Sequence, residues 1–236
     1  GGDDNKDDGQ GGSGDDSGPG DEGSTEPKSK EFVILFTNDF HSQIEPMDGG
    51  DGGVLRLQAL VDSIRTAEPY VLLADAGDLV QGTYYFSLLN GVVEMKMLDM
   101  LKYDIRTLGN HEFDWGTDAI RENVDIADFS ILAINIYDNA TGERADYCEP
   151  SVMIERGGVK IGIIGAIGNC HSSIAKDKNK DFNFKTGSAL TNLVKAESEK
   201  LRDEGADVIV YLLHSDGDDY DLSLSSSDYV DVVFEG

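Results

Sequence analysis

The sequence comprises 236 residues with a formal net charge of −27, and 39% of its residues are apolar. Such a chain can bury a core, but its charge argues against a surface that holds a nucleic acid polymer, because that surface needs clustered Lys and Arg. A phosphate substrate must therefore be received by something other than surface lysines. A bound pair of divalent cations is the usual way in which an acidic protein forms a local positive site.

The N-terminal segment differs from the rest of the chain. Residues 1–30 include 20 Gly, Asp or Ser and no aliphatic or aromatic side chain, so they cannot bury enough apolar surface to fold. We expect a disordered tether over 1–30 and a folded domain over 31–236, and a merely disordered end or a cloning remnant remains open as another interpretation of the first segment. Cys148 and Cys170 leave open one disulfide or two ordinary thiols, and the second is favoured.

Strand and helix patterns alternate along the folded domain. Short apolar runs predict strands at Phe32–Phe36, Tyr70–Ala74, Ile105–Leu108, Phe129–Ile134, Val152–Ile154, Val159–Ile164, Val208–Leu213 and Val230–Phe234. Helical spacing predicts helices at Val54–Ala67, Tyr84–Leu101 with an interruption at Asn90-Gly91, Thr117–Ile126 and Ser188–Glu204. This alternation is typical of an α/β domain with a mainly parallel sheet. A hairpin around Gly157-Gly158 indicates that the sheets are mixed.

Residues that carry chemistry follow these strands. In open α/β sheets, ligands bind beyond the carboxyl ends of the strands. The corresponding loops here are Thr37–His41, Asp75–Asp78, Gly109–Glu112 and His214–Gly217, and they contain three of the four histidines in the chain. Each loop therefore offers a metal ligand.

The residue types in these loops suit divalent ions. Asp39 and His41 stand two positions apart, which places an oxygen and a nitrogen on the same side of an extended segment. Asp78 follows a glycine that lets the backbone approach the site, and its carboxylate can bridge two ions. Asn110 offers a neutral oxygen, whereas the adjacent His111 points elsewhere and suits an acid or a charge stabiliser. Each motif is weak alone, but their order favours a metal site.

The order of these motifs resembles that of the calcineurin-like metallophosphoesterases. The segments Phe36–His41, Ala74–Gly82 and Thr107–Gly116 are similar to the bacterial 5'-nucleotidase and 2',3'-cyclic-nucleotide 2'-phosphodiesterase branch of that family. The resemblance extends over Glu31–Gly236 and implies a four-layer α-β-β-α sandwich with mixed sheets. It also implies a centre of two divalent metal ions, Zn, Mn or similar.

The resemblance assigns the ligands residue by residue. It implies that Asp39 and His41 bind the first ion, that Asp78 bridges both ions, and that Asn110 and His214 bind the second. Such a pair of ions activates water near neutral pH and clamps the phosphate oxygens during in-line attack.

Further residues are expected to act on the substrate or to support the ligands. The resemblance implies that His111 and Asp114 form a catalytic pair, in which the carboxylate orients the imidazole and His111 protonates the leaving ribose oxygen or stabilises developing charge. Glu112 is expected at most to contact the metal ligands without binding a metal ion itself. Asn135, at the end of its strand, is a weaker substrate-binding candidate.

The sequence departs from the family pattern at its C-terminal end. Family members continue with Gly-His-x-His, which completes both ion sites, and then with a domain that clamps the nucleoside base. This sequence stops at Phe234–Gly236. We therefore expect a domain that lacks its last strands and a separate substrate-binding domain, and we expect these residues alone to be weakly active or inactive.

The function predicted from the sequence is hydrolysis of nucleotide phosphate esters, of the 5'-nucleotidase type, to nucleoside and phosphate. A nucleotide-sugar pyrophosphatase or a cyclic-nucleotide phosphodiesterase remains open, as does a non-catalytic surface binding module on the same fold. The partner is expected to be a nucleotide and not a nucleic acid polymer. The tether favours an extracellular or cell-surface location in a bacterium, with a lipid-anchored Cys just upstream of Gly1.

Overall fold

The computed structural model describes residues 31–217, 220–225 and 228–236, and the predicted tether at 1–30 lies outside these residues. The strands are β1 (Val33–Thr37), β2 (Val71–Asp75), β3 (Ile105–Thr107), β4 (Ser130–Leu132), β5 (Ile136–Asp138), β6 (Ser151–Arg156), β7 (Val159–Ile167), β8 (Phe182–Phe184), β9 (Val208–His214) and β10 (Val232–Glu235). The helices are α1 (Val54–Ala67), α2 (Tyr84–Leu89), α3 (Val92–Leu101), α4 (Thr117–Ile126) and α5 (Ser188–Asp203). Single 3-10 turns cover His111–Phe113, Asn169–Ser173 and Leu222–Leu224.

The first sheet is entirely parallel, in the order β1-β2-β3-β4. Its strands are joined in sequence by α1, by α2 with α3, and by α4, because parallel neighbours need a crossover connection. Strand β2 is buried along its whole length, as expected for an inner strand covered on both faces. Thr37 pairs with Asp75, and Asp75 pairs with Arg106. The carboxyl ends of the first three strands therefore lie together.

The second sheet is mixed, in the order β10-β9-β7-β6. Strands β6 and β7 form an antiparallel hairpin, and its turn uses Gly157 and Gly158, whose φ values are 58° and 77°. This is the geometry that two-residue hairpin turns favour. Strands β7, β9 and β10 are parallel, and Ile167 at the end of β7 pairs with His214 at the end of β9. The predicted hairpin and mixed sheet are confirmed.

The two sheets pack face to face between helices. One apolar core lies between them and includes Leu72 of β2 and Ile163 of β7. A second core joins the first sheet to its helices, with Leu98 of α3 among its buried members. A third joins the second sheet to α5, where Val194 is fully buried. The result is the predicted α-β-β-α sandwich.

The predicted elements agree with the structure except at short segments. Helices α1 and α4 begin and end at the predicted residues, and left-handed backbone at Asn90 and Gly91 separates α2 from α3. The sequence pattern does not predict the antiparallel pair β5 and β8, because three residues carry no clear period. Cys148 and Cys170 are free thiols. No helix in the described part of the chain has the length and apolar character to cross a membrane.

Candidate metal centre

The loops that follow β1 and β2 are joined by backbone hydrogen bonds. The amide of Asp39 donates to the carbonyl of Gly77 at 3.0 Å, and the amide of His41 donates to the carbonyl of Asp78 at 3.1 Å. The Asp-x-His segment therefore lies alongside the Gly-Asp segment. The two loops act as one platform for their side chains.

The backbone of this platform differs from the extended segment that the Asp-x-His spacing suggests. Asp39, His41 and Asp78 have φ values of 50°, 45° and 53°, in the left-handed region that residues other than glycine rarely adopt. The expectation of strand-like alternation at residues 39 and 41 is therefore wrong. The two side chains nevertheless meet, because a left-handed turn and the bonds across the loops bring them to the same side.

Asp39, His41 and Asp78 form a group that can hold a metal ion. One ligand atom from each lies within 4.8 Å of the others. The Nε2 atom of His41 lies 3.4 Å from Oδ1 of Asp39 and 3.9 Å from Oδ2 of Asp78. Two carboxylate oxygens and one imidazole nitrogen suit a divalent ion such as Zn or Mn. These are the residues that the sequence analysis assigns to the first ion, together with the bridging residue.

His214 and Asn110 face the other side of the Asp78 carboxylate. The Nε2 atom of His214 lies 3.2 Å from Oδ2 of Asp78 and 3.2 Å from Oδ1 of Asn110. Its Nδ1 atom lies 2.9 Å from the carbonyl of Ala76, which fixes the proton there and leaves the Nε2 lone pair directed at the two oxygens. A Cβ atom on Gly77 would lie 2.8 Å from the His214 ring, so glycine is needed for this approach.

The arrangement around His214 fits a cation. In the neutral tautomer, its Nε2 lone pair meets two further acceptor oxygens, and a cation would satisfy all three atoms. Without one, burial lowers the pKa of His214, but the hydrogen bond and charge of Asp78 outweigh this effect and raise the pKa to about 9. A proton on Nε2 of His214 then occupies the position where a metal ion would bind.

Asp78 occupies the position between the two groups of ligands. Its Oδ1 atom accepts a hydrogen bond from the amide of His111 at 2.9 Å. Its Oδ2 atom is the atom that approaches both His41 and His214. The Asp78 carboxylate therefore lies between His41 and His214, and its side chain is almost fully buried.

His111 and Asp114 lie in contact beside this centre. The Nδ1 atom of His111 lies 3.0 Å from Oδ2 of Asp114. The His111 ring lies 5.4 Å from the His41 ring, measured between centroids. Both members of the pair are partly exposed, so a substrate can reach them from solvent.

The structure adds a buried charge cluster that the sequence pattern does not reveal. Glu112 accepts hydrogen bonds from the amides of Asp78, Leu79 and Gly109. Burial alone would raise the pKa of Glu112, but the charge and hydrogen bond of Arg106 hold it below its usual range. The one residue type that could have indicated this cluster is the arginine within the short strand Ile105–Thr107, since a buried arginine rarely lacks a partner.

Asp75 completes this cluster on the neighbouring strand. Its Oδ1 atom lies 3.4 Å from Nε of Arg106, and its Oδ2 atom accepts from the hydroxyl of Thr37 at 2.9 Å. Complete burial raises the pKa of Asp75 to about 6, and the Arg106 charge opposes this rise only in part. The single guanidinium therefore does not fully compensate two carboxylates.

Asn135 is in a different environment from the other candidates. Its side chain is fully buried, and its amide donates to the carbonyls of Ile167 and Lys185 at 2.6 and 2.9 Å. Its oxygen accepts from the amide of Ile167 at 3.1 Å. These bonds tie strand ends together and use both amide hydrogens, and the buried side chain is not accessible to a substrate, so we do not include Asn135 in the proposed site.

His171 and Trp115 lie outside the ligand set. The Nδ1 atom of His171 bonds the carbonyl of Gly168 at 2.9 Å, and its ring packs on Phe184 at 5.1 Å. Trp115 is 48% exposed and packs edge-on against Phe86. Both residues therefore make structural contacts within their loops.

A fold of two sheets between helices, with ligands gathered at the strand ends, defines a metal-dependent phosphoesterase domain. The chain belongs to the calcineurin-like phosphoesterase family, because the sequence model of that family matches residues 32–235. Membership agrees with the resemblance seen in the sequence motifs.

Its relatives include several nucleotidases. An apyrase from Tabanus yao is 33% identical over 86% of this chain, and a 5'-nucleotidase from Bos taurus is 33% identical over 87%. The crystal structure of a 5'-nucleotidase precursor from Thermus thermophilus matches 86% of this chain with a TM-score of 0.75 and 28% identity. The chain spans only 38%, 38% and 41% of the lengths of these three proteins.

Proposed function

We propose that this chain carries the metal-binding and proton-donating residues of a hydrolase that cleaves phosphate esters of nucleotides to nucleoside and phosphate. The observation that carries the proposal is the Oδ2 atom of Asp78, which faces His41 on one side and His214 with Asn110 on the other. A carboxylate so placed is suited to two divalent ions, Zn, Mn or similar. Relatives named 5'-nucleotidase support the choice of nucleotides as substrates.

The ligand residues would hold two ions in separate places around Asp78. Asp39 and His41 would bind the first ion, and Asn110 and His214 would bind the second. When bound, the ions would activate water and neutralise charge on the phosphate oxygens during in-line attack. The carbonyl of Ala76 keeps the proton on Nδ1 of His214, so that Nε2 remains a ligand atom.

His111 would supply a proton to the leaving oxygen. Asp114 lies against Nδ1 of His111 at 3.0 Å, which orients the imidazole ring. A proton on Nε2 of His111 would then be donated to the ribose oxygen as its bond to phosphorus breaks. The proton passes to the departing nucleoside, and the phosphoryl group passes to water.

The test is phosphate release from AMP with added manganese or zinc, measured on residues 1–236 and on the full-length protein. We expect His111→Ala to lower kcat by about 10²- to 10⁴-fold, while the manganese content of the purified protein stays the same. His171→Ala is the matched control, since it removes a partly exposed histidine outside the ligand set. The enzyme assignment is wrong if the full-length protein hydrolyses no phosphoester with any divalent metal, which would leave the non-catalytic binding module.

The same assay should include nucleotide sugars and cyclic nucleotides. We expect the highest kcat/KM for nucleoside monophosphates. A preference for a nucleotide sugar would instead indicate a pyrophosphatase, and a preference for a cyclic nucleotide would indicate a phosphodiesterase. Residues 1–236 are expected to be weakly active or inactive, and full turnover by them alone would contradict that expectation.

We also propose that the protein acts at a bacterial cell surface, attached by a lipid on a cysteine that precedes Gly1, and that a further C-terminal domain holds the nucleoside. The Gly, Asp and Ser content of residues 1–30 supports the role of a tether. Labelling of the full-length protein with a fatty acid, together with its recovery in the membrane fraction, tests the anchor. Recovery without label in the culture medium would refute it.

A further inference from the structure

Arg106 is a buried cation on the face of β3 that lies under α3. Its side chain is 2% exposed, and its Nη1 atom lies 3.6 Å from Sδ of Met95. Its Nη2 atom donates to Oε1 of Glu112 at 2.9 Å, and its Nε atom lies 3.4 Å from Oδ1 of Asp75. Neither of these carboxylates is a proposed metal ligand, so a hydrogen-bonded route from Arg106 to the site passes through a partner.

Glu112 is the partner that reaches the metal loops. Its Oε1 atom accepts from the amide of Leu79 at 2.9 Å, and its Oε2 atom accepts from the amides of Asp78 at 3.2 Å and Gly109. The first two amides belong to the loop of the bridging carboxylate. Gly109 directly precedes Asn110, a proposed ligand of the second ion. One carboxylate therefore joins both ligand loops.

The Asp78 loop needs such a restraint. Asp78 has a φ of 53°, a conformation that persists for a residue with a side chain only where the surroundings impose it. One of the three amides that donate hydrogen bonds to Glu112 is the amide of Asp78 itself. The orientation of Glu112 is fixed in turn by Arg106, because the guanidinium offers rigid, directed donors that a flexible ammonium does not.

We propose that Arg106 is a positioning residue for the bridging carboxylate of Asp78 and that it acts through Glu112 on the two loops that carry Asp78 and Asn110. This inference rests on the proposed two-metal function. It assigns a role to a residue that belongs to none of the strand-end motifs. It also predicts that the geometry of the metal centre depends on the charge of Arg106, which is not itself a metal ligand.

The test measures manganese binding to residues 1–236 by titration calorimetry and by the EPR spectrum of the bound ion. The variants are Arg106→Met, which removes the charge, and Arg106→Lys, which keeps it without the rigid fork. Arg156→Met is the control, because Arg156 also forms a partly buried ion pair, with Asp104, and bonds the carbonyl of Val71 at the opposite end of β2. Circular dichroism and Tm show which variants are folded at the assay temperature.

We expect Arg106→Met to weaken manganese binding by about 10- to 100-fold, the range found when residues behind metal ligands are replaced. We expect an intermediate loss for Arg106→Lys, an altered EPR spectrum for both, and no change for Arg156→Met. A purely structural role would lower Tm in all three variants without changing the spectrum. Wild-type binding and spectrum in folded Arg106 variants would overturn the proposal.

A double-mutant cycle tests the route through Glu112 and covers the case in which Arg106→Met does not fold. The cycle combines Arg106→Lys with Glu112→Gln. If Arg106 acts through Glu112, the loss of manganese affinity in the double variant equals that of Glu112→Gln alone. Additive losses would overturn the proposal.

The manganese measurements also separate this inference from the proposed function. A wild-type chain that binds manganese but whose full-length form hydrolyses no phosphoester would refute the function and leave the positioning role supported by the binding data. A wild-type chain that binds no manganese would overturn the positioning role.

Discussion

Gly109 offers a direct way to move the bridging carboxylate without changing any ligand. A Cβ atom at this position would lie 2.9 Å from Cγ of Asp78 and 2.5 Å from its amide nitrogen. Carbon atoms in contact are normally about 3.5 to 4.0 Å apart, so Gly109→Ala should push the carboxylate back by about 0.6 to 1 Å. The backbone of Gly109 is outside the left-handed region, so alanine adds no conformational strain there.

The size of the effect follows from how precisely metal ligands must be placed. Functional groups are typically held within about 0.5 Å of their working positions, so Gly109→Ala should weaken manganese binding by about 10- to 100-fold. Overpacking should also lower the free energy of unfolding by about 1 to 3 kcal/mol. Titration calorimetry with manganese and urea unfolding in EDTA measure the two effects separately.

Gly165 provides a matched control. It also lacks a left-handed φ, and a Cβ atom there would lie 2.9 Å from Oγ1 of Thr107, between the two sheets. Gly165→Ala should therefore destabilise the fold by a similar amount while manganese binding stays unchanged. If Gly109→Ala binds manganese as tightly as Gly165→Ala, the carboxylate of Asp78 does not have the bridging role proposed here.

Three further predictions concern proton transfer, pH and metal. Asp114→Asn should lower kcat for AMP by about tenfold or more at constant manganese content, whereas Asp118→Asn, in the first turn of α4, should not. Asp75 has its pKa raised from 3.8 to about 6, so its contribution to stability is fully present below pH 3.8 and is lost as the pH rises through about 6. The unfolding free energy of the wild type relative to Asp75→Asn should fall by about 3 kcal/mol over that interval, as urea unfolding in EDTA would show. Manganese at about 100 times its Kd should stabilise the chain by about 2.7 kcal/mol, measured as a rise in Tm.

Each of these predictions has an outcome that contradicts it. Equal kcat values for Asp114→Asn and the wild type would remove Asp114 from the catalytic pair. Parallel stability profiles for the wild type and Asp75→Asn would show that folding does not raise the pKa of Asp75. A Tm that manganese leaves unchanged would mean that the folded chain does not bind the ion more tightly than the unfolded chain does.

The fold was largely predictable because its longer helices and strands span several repeats of their apolar pattern. Five apolar positions in α1 recur at helical spacing, and β2 is a continuous apolar run up to its final Asp75. Strands β5 and β8 contain three residues each and pair across more than forty positions of sequence. Their pairing is decided by tertiary contacts that no local pattern carries.

The candidate site was predictable at the level of ligands but not at the level of what holds them. Asp39, His41 and Asp78 stand at strand ends, where topology alone brings them together. The left-handed backbone that orients them depends on bonds between loops, which single-sequence patterns do not encode. The cluster around Arg106 is not encoded in a local pattern, because its two carboxylate partners, on β2 and in the turn after β3, are far from each other in sequence.

The left-handed residues have a consequence for directed evolution. Of six non-glycine residues with positive φ in the described part of the chain, four are Asp39, His41, Ser42 and Asp78. Replacement by glycine or asparagine would relax the backbone at each of them, so a library screened for heat resistance alone should be drawn toward these positions. Three of the four are proposed ligands, and selection for thermostability would therefore remove metal binding first, unless each round also retained variants by their activity.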